Sequence, residues 1–276
     1  MGANLKEVRE RIKSVISTQQ ITKAMKMVSA AKLRRAQDAI VKMRPYALKL
    51  NDMLANIMAN SAGDAVTSYG VARDVKKVLI VVVTSNRGLA GAFNTNIIKE
   101  ARSLMEGKYR TQMAAGNVTI LPIGKKGFDY FRKRLSPNLV VKDYVNLFSD
   151  LSFDNIVAVP NLLMQYYDDA SYDAIEVCYG RFKNAAVQYA EAEQFLPVVK
   201  MDKKVSEDKS VADYIYEPDK DNLLHELIPS ILQTQLYRFL LDTHASEHGA
   251  RMTAMDKATE NADEILRDLR ISYNKA

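Results

Sequence analysis

LKEVRERIKSVISTQQITKAMKMVSAAKLRRAQDAI, residues 5–40, runs without proline or glycine, and its apolar residues return at steps of three and four. Leu5, Val8, Ile12 and Val15 share one face, the spacing of an amphipathic helix rather than a strand. Around Pro45 the same spacing continues through Met43, Ala47, Leu50, Leu54 and Ile57. A helix is therefore predicted from Leu5 to about Asn60, kinked or jointed where the proline removes an amide donor.

A second long helical pattern closes the chain, from about Asp221 to Tyr273. Its seam reads Leu232, Leu236, Phe239, Thr243, Ser246, Ala250 and Thr253, and after a register shift Ala258, Ala262, Ile265 and Leu269. Each helix would span roughly 75 Å at about 1.5 Å per residue, a length that suggests a coiled coil. Both seams turn small, at Ala24, Val28 and Ala31 in the first helix and at Ser246, Ala250 and Thr253 in the second. Small side chains let backbones approach, so the two ends are expected to pair as a thin antiparallel rod. Neither helix shows the wide apolar stripe of a helix laid on a globular core.

Between the helices the period changes. KKVLIVVVT is an apolar strand followed by a glycine turn and a helix from near Asn94. NVTILPI is the next strand and KGFDYFRKR its helix; LVVKDYV, a helix near Asp154 to Asp169 and YDAIEVCYG follow. AVQYAEAEQF reads as an edge strand on a hairpin. Alternating strands and helices imply a layered, mostly parallel sheet. The fold class is thus α/β with a long antiparallel coiled coil. Residues 1–70 form the N-terminal shaft helix, 75–200 a central nucleotide-fold-like domain, and 210–276 the C-terminal shaft helix.

Composition narrows the function. The 276 residues are 47% hydrophobic and 26% charged, ordinary for a soluble globular protein. A net charge of +6 favours acidic partners. The 12 methionines suit a contact surface that accepts several geometries. A single cysteine, Cys178, excludes an internal disulfide framework and a multi-cysteine zinc cluster. It reads as a buried, inert thiol in a reducing compartment such as a bacterial cytoplasm. No apolar run approaches the roughly 20 residues of a membrane span, so any membrane association is expected through partners.

Three motifs invite a chemical reading. In VVVTSNRGLAGAFN, Gly88 and Gly91 open a helix after a strand, the geometry of an anion site. Asn86 stands where a dinucleotide fingerprint has its first glycine, and no Lys-Ser or Lys-Thr pair follows, so a structural turn is expected. PIGKKGFDYF holds a G-x-x-G loop like the clamp of KH RNA-binding domains, but a strand rather than a helix precedes it. His244, Glu247 and His248 spell H-x-x-E-H, an inverted zinc-peptidase signature. His225 is too far along the helix to complete a metal site, and a solvated helix face is expected. No nucleophile elbow or paired carboxylates appear, so the chain carries no catalytic residue, cofactor site or metal site. The first helix is strongly basic: Lys6, Arg9, Arg11, Lys13, Lys23, Lys26, Lys32, Arg34 and Arg35 face only Glu7 and Glu10 before Asp38.

RIKSVISTQQITKAMKMVSAAKLRRAQ, VTSNRGLAGAFN and ASEHGARMTAMDKATENADEIL resemble, in order and spacing, three signatures of the gamma family of F-type ATP synthases. The resemblance covers nearly the whole chain. Lys26 stands where many relatives carry Glu, and Ala90 replaces the Cys of the central motif. The resemblance implies a central rotor shaft inside a hexamer of alpha and beta subunits, with its foot on the membrane c ring and the epsilon subunit. Rotation driven by protons or sodium ions would change nucleotide affinity in each beta subunit in turn. The chain itself would be non-catalytic and would bind no nucleic acid. It would sit peripherally on the cytoplasmic face of the bacterial inner membrane without inserting into it. Carried over by position, Met25, Lys26, Arg251 and Met255 belong to a collar that meets acidic beta-subunit levers. Tyr214, Tyr216 and Glu217, in YIYEPD, belong to the foot near the c ring and epsilon.

Overall fold

The computed structural model describes residues 5–60, 68–70, 73–198 and 220–275. The terminal helices are each 56 residues long: α1 (Leu5–Asn60) and α7 (Lys220–Lys275). Pro45 lies inside α1 and Pro229 inside α7, and neither ends its helix. The pair is antiparallel. Arg9 meets Tyr273, Gln19 meets Asp263, Thr22 meets Thr259, and Lys26 meets Asp256. Farther down, Leu33 and Ala36 pack with Ala245.

The seam differs from the one expected. Among the described residues of α1 the buried positions are Val8, Thr22, Ser29, Leu33, Ala36 and Leu50. Half-buried Ile12, Val15, Gln19, Lys26, Ile40, Met43 and Ala47 fill the alternate four- and three-residue steps between them. Ala24, Val28 and Ala31 face outward, Val28 being 58% exposed. The reason is that a hydroxyl can be buried once it has a hydrogen-bond partner. In the structure the hydroxyls of Thr22 and Thr259 share a hydrogen bond of 2.7 Å across the seam. Thr259 can also donate to the Met255 carbonyl of its own helix at 2.8 Å. On α7 the upper seam is Met255, Thr259, Ala262 and Leu266; Ile265 is 46% exposed.

The central domain is one sheet, ordered β2-β1-β3-β4. Strands β1 (Val78–Val83), β2 (Val118–Ile123) and β3 (Ala174–Phe182) are parallel, and β4 (Gln188–Leu196) returns antiparallel at the edge. Ile80 stands between Ile120 and Glu176. Alternation along each strand divides the core into two halves. Val78, Ile80, Val82 and Cys178 face α2 (Phe93–Glu106), where Ile97, Ala101 and Met105 are buried. Leu79, Val81, Val177 and Tyr179 face α6 (Ala158–Asp168) and the lower part of α7, through Leu163, Leu232, Leu236, Phe239 and Leu240. The shaft helix is thus also a layer of the domain.

Short α3 (Arg110–Ala114) follows α2, and α4 (Lys125–Phe131) follows β2. Two expected elements change. LVVKDYV forms no strand; only Val140 bridges to Ile120, before Lys142 and Asp143 interrupt the apolar run. The helix expected over Asp154 to Asp169 is split into α5 (Phe153–Ile156) and α6. Pro160 cannot donate to the Ile156 carbonyl, which accounts for the break beside Val157.

Candidate functional site

In a doubly wound sheet, ligands enter where the strand order reverses, outside the carboxyl ends of the strands. Here that crevice lies between β1 and β3, and α7 occupies it. β1 pairs with β3 only as far as Val82 opposite Cys178, so Gly180 extends past its neighbour. Thr243 Oγ accepts the Gly180 N–H at 3.2 Å, and Ser246 Oγ donates to the Gly180 carbonyl at 3.0 Å. A methyl group at Gly180 would stand 2.7 Å from the Phe93 ring and 3.3 Å from Ser246 Cβ. The small residues expected to face α1 therefore face the domain instead. Thr253 likewise donates to the Ala185 carbonyl at 3.1 Å. What remains of the crevice is a cavity of about 250 Å³ among Phe93, Gly180, Gln188 and Ala250.

The glycine turn after β1 is fixed within the chain. Ser85 donates its hydroxyl to the Arg87 carbonyl at 2.6 Å and its N–H to Asn94 at 2.9 Å. The amides of Lys125 and Lys126 donate to Asn86 Oδ1 and to the Ser85 carbonyl, both at 3.1 Å. The G-x-x-G segment serves this packing: Gly124 has φ 104°, and a Cβ there would be 2.0 Å from the Thr84 carbonyl oxygen. Leu89, at φ 62°, is held outward and 64% exposed, beside exposed Arg87. The turn is thus tied to α2 and to the start of α4 by hydrogen bonds within the chain.

The H-x-x-E-H segment is not a solvated face. Glu247, His248 and Arg251 are buried, and His244 is half-buried with its ring stacked on Phe148. Arg251 donates from Nη1 to Glu247 Oε1 at 2.7 Å. Its Nη2 donates to the carbonyls of Arg87 and Gly88, both at 3.1 Å, and its Nε to Gly88 at 3.3 Å. Nη1 also lies 3.4 Å from His248 Nδ1, which makes that nitrogen the acceptor. His248 Nε2–H then donates to His244 Nε2 at 3.1 Å. Burial pushes His244 down to about 4 and His248 down to about 3, with Lys32 and Arg251 adding to the effect. Burial pushes the Glu247 carboxyl up, and Arg251 partly holds it down. Two neutral imidazoles joined by one hydrogen bond beside two cations make a poor cation site. Among the described residues no group of three histidines, cysteines or carboxylates can hold a metal.

The collar residues fall in different surroundings. Met25 is half-buried on α1, Met255 is buried in the seam, and Lys26 pairs with Asp256 at 2.5 Å, both partners being partly exposed. Arg251 is 7% exposed and faces the domain. The sequence offered one cue to this, the four-residue spacing of Glu247 and Arg251. Its other partners are backbone carbonyls far away in the chain, which no residue pattern marks. Tyr214, Tyr216 and Glu217 lie outside the described residues. Among the described residues no helix is long and apolar enough to cross a membrane.

Two long antiparallel helices with an α/β domain packed against their lower part, chiefly along α7, define a shaft-type architecture. The family model described as ATP synthase matches residues 4–276, and the chain belongs to that family, among its gamma chains. It is 53% identical over 275 residues to the ATP synthase gamma chain of Cytophaga hutchinsonii, covering 99% of this chain and 92% of that one. It is 45% identical over 272 residues to the gamma chain of Chlorobium luteolum, with the same coverage. Among solved structures, the rotor of Euglena gracilis mitochondrial ATP synthase in rotational state 1 matches with a TM-score of 0.62 at 20% identity. That match covers 98% of this chain and 96% of the other. The central stalk and c ring structure of the Tetrahymena thermophila mitochondrial enzyme matches at 0.60 and 24% identity, over 86% of this chain and 99% of that one. These structural likenesses establish the fold.

Proposed function

We propose that the chain is the central rotor shaft of a rotary ATP synthase, turning inside an alpha-beta hexamer to couple ion flow to ATP synthesis or hydrolysis. The observation that carries this reading is that the upper rod leaves large apolar side chains outside while its seam buries hydroxyls. Ile21, Met27 and Val28 are 57, 66 and 58% exposed, while Thr22, Ser29 and Thr259 are buried in the seam. A helix hairpin that only had to hold itself together would bury the larger apolar side chains. An outward apolar face flanked by lysines and arginines suits a surrounding sleeve with acidic contacts.

In this reading residues 1–70 and 210–276 are the two halves of the shaft and 75–200 the side domain. Met25, Lys26 and Met255 act at the collar facing the beta subunits, Arg251 acts there from inside, and Tyr214, Tyr216 and Glu217 form the foot against the c ring and epsilon. The chain is non-catalytic and rides peripherally on the cytoplasmic face of the bacterial inner membrane. Occupation of the sheet crevice by α7 supports the absence of a nucleotide site.

The test is co-purification of the tagged chain from its own membranes, combined with calorimetry of the isolated chain against Mg-ATP. Stoichiometric alpha, beta, epsilon and c subunits, with no saturable nucleotide binding to the isolated chain, are the expected result. Recovery without the hexamer, or one-to-one ATP binding lost in Gly88→Val, would overturn it.

A further inference from the structure

The α/β domain touches α7 at separate heights. Thr243 and Ser246 hold Gly180 at the end of β3, and Thr253 holds Ala185 in the hairpin beyond it. Arg251 holds the turn after β1, through the carbonyls of Arg87 and Gly88. That turn is tied on its other side to α2 through Asn94 and to the start of α4 through the amides of Lys125 and Lys126. A single attachment along a helix leaves a domain free to hinge, whereas separated attachments on different strands resist both tilt and twist.

We infer that Arg251 is a positioning residue that bolts the Ser85–Gly91 turn to α7, so that shaft and side domain move as one body. All three guanidinium nitrogens have partners inside the chain. Glu247 supplies the counter-charge that allows the cation to be buried. A planar guanidinium can bridge a carboxylate on one edge and two carbonyls on the other; a lysine ammonium presents its donors from one atom and cannot. The bolt also fixes what the turn displays, because Arg87 and Leu89 project outward from the segment it holds. The purpose of this rigidity rests on the rotor reading, but the bolt itself is a property of the isolated chain.

The test is site-resolved hydrogen exchange on the full-length chain, comparing wild type with Arg251→Gln, Arg251→Lys and Arg87→Gln. In Arg251→Gln the amides of Ser85, Phe93, Lys125 and Lys126 are expected to exchange about 10-fold faster, with Ile80 and Val81 in β1 nearly unchanged. Arg251→Lys, which keeps the charge beside Glu247 and folds with less disturbance, is expected to give about a 3-fold increase at the same amides. Arg87→Gln removes an exposed side chain and should leave these rates at their wild-type values. Wild-type exchange in both Arg251 variants would overturn the inference, as would turn and β1 amides quickening together in both. Because the readout needs no partner subunit, failure of the rotor reading leaves this result intact.

Discussion

The lower part of α7, Leu227–Leu241, and its upper part, Met255–Tyr273, belong to one helix and live in two kinds of surroundings. Below, Leu232, Leu236, Phe239 and Leu240 are buried against β1, β3 and α6, and the Phe239 ring lies 4.3 Å from that of Tyr179, centroid to centroid. Above, among the described residues, the helix runs chiefly beside α1, the seam is partly threonine and serine, and Ile265 and Ile271 are about half exposed. The lower segment is stabilised by large apolar burial within its own chain. The upper segment has traded that burial for narrowness. A rod two helices thick cannot enclose large side chains on all sides, so small seam residues and hydroxyl pairs set its diameter. The difference separates an anchored base from a slender tip whose apolar surface remains for others.

The contrast can be broken most directly by core truncation. Phe239→Ala is expected to cost about 3–5 kcal/mol, and Leu266→Ala in the upper seam about 2 kcal/mol, the low end for a large-to-small change. Urea unfolding of the purified chain measures both. Equal losses would mean that the upper rod is as well packed as the base.

Acid should attack the boundary between the two segments. His244 and His248 titrate at depressed values in the folded chain, about 4 and 3, against about 6.5 when unfolded. The unfolded state therefore binds more protons as pH falls below 6.5, and the stability these rings contribute is lost toward pH 4. Asp242, raised to about 6 by burial, works in the opposite sense, gaining stability as pH falls through that value, and Glu247 is also shifted upward. Each imidazole loses about 3 kcal/mol between pH 6.5 and 4, and Asp242 returns about 2 kcal/mol. With Glu247 also offsetting, the net loss is expected to be at most about 4 kcal/mol. His248→Gln should remove most of that slope, as followed by circular dichroism melts across that range; an unchanged slope would place the acid sensitivity elsewhere.

The smallest effect sharpens the reading of the tip. Thr22→Val alone should cost about 1 kcal/mol by leaving Thr259 without its cross-seam partner, while Thr22→Val with Thr259→Val should return nearly to wild type. Thermal melts of the two variants decide it. A double variant worse than the single would show that the hydroxyl pair does more than fit the space.

Much of the architecture could be read from periodicity. The long helices, β1 to β4 and the hairpin edge all announced themselves through three-four or continuous apolar spacing. The seam departs from the expected Ala24, Val28 and Ala31 to Thr22 and Ser29, because hydrophobicity stands for burial only when no hydroxyl finds a partner. Splitting of the helix beside Pro160 was legible in principle. The surroundings of Arg251 were not: a carbonyl has the same chemistry in every residue, so Arg87 and Gly88 could not be singled out as its partners. The buried state of His244 and His248 was hidden for a similar reason, since the domain that covers them comes from the middle of the chain.

The docking of Thr243 and Ser246 on Gly180 has a consequence for competition. An occupant carried on the same polypeptide meets its site at an effective concentration in the millimolar range or above, whatever the protein concentration outside. Dilution cannot release it. A free metabolite entering that crevice would have to displace a neighbour that is always returning. The domain thereby keeps the outline of a receptor while its own chain holds the seat.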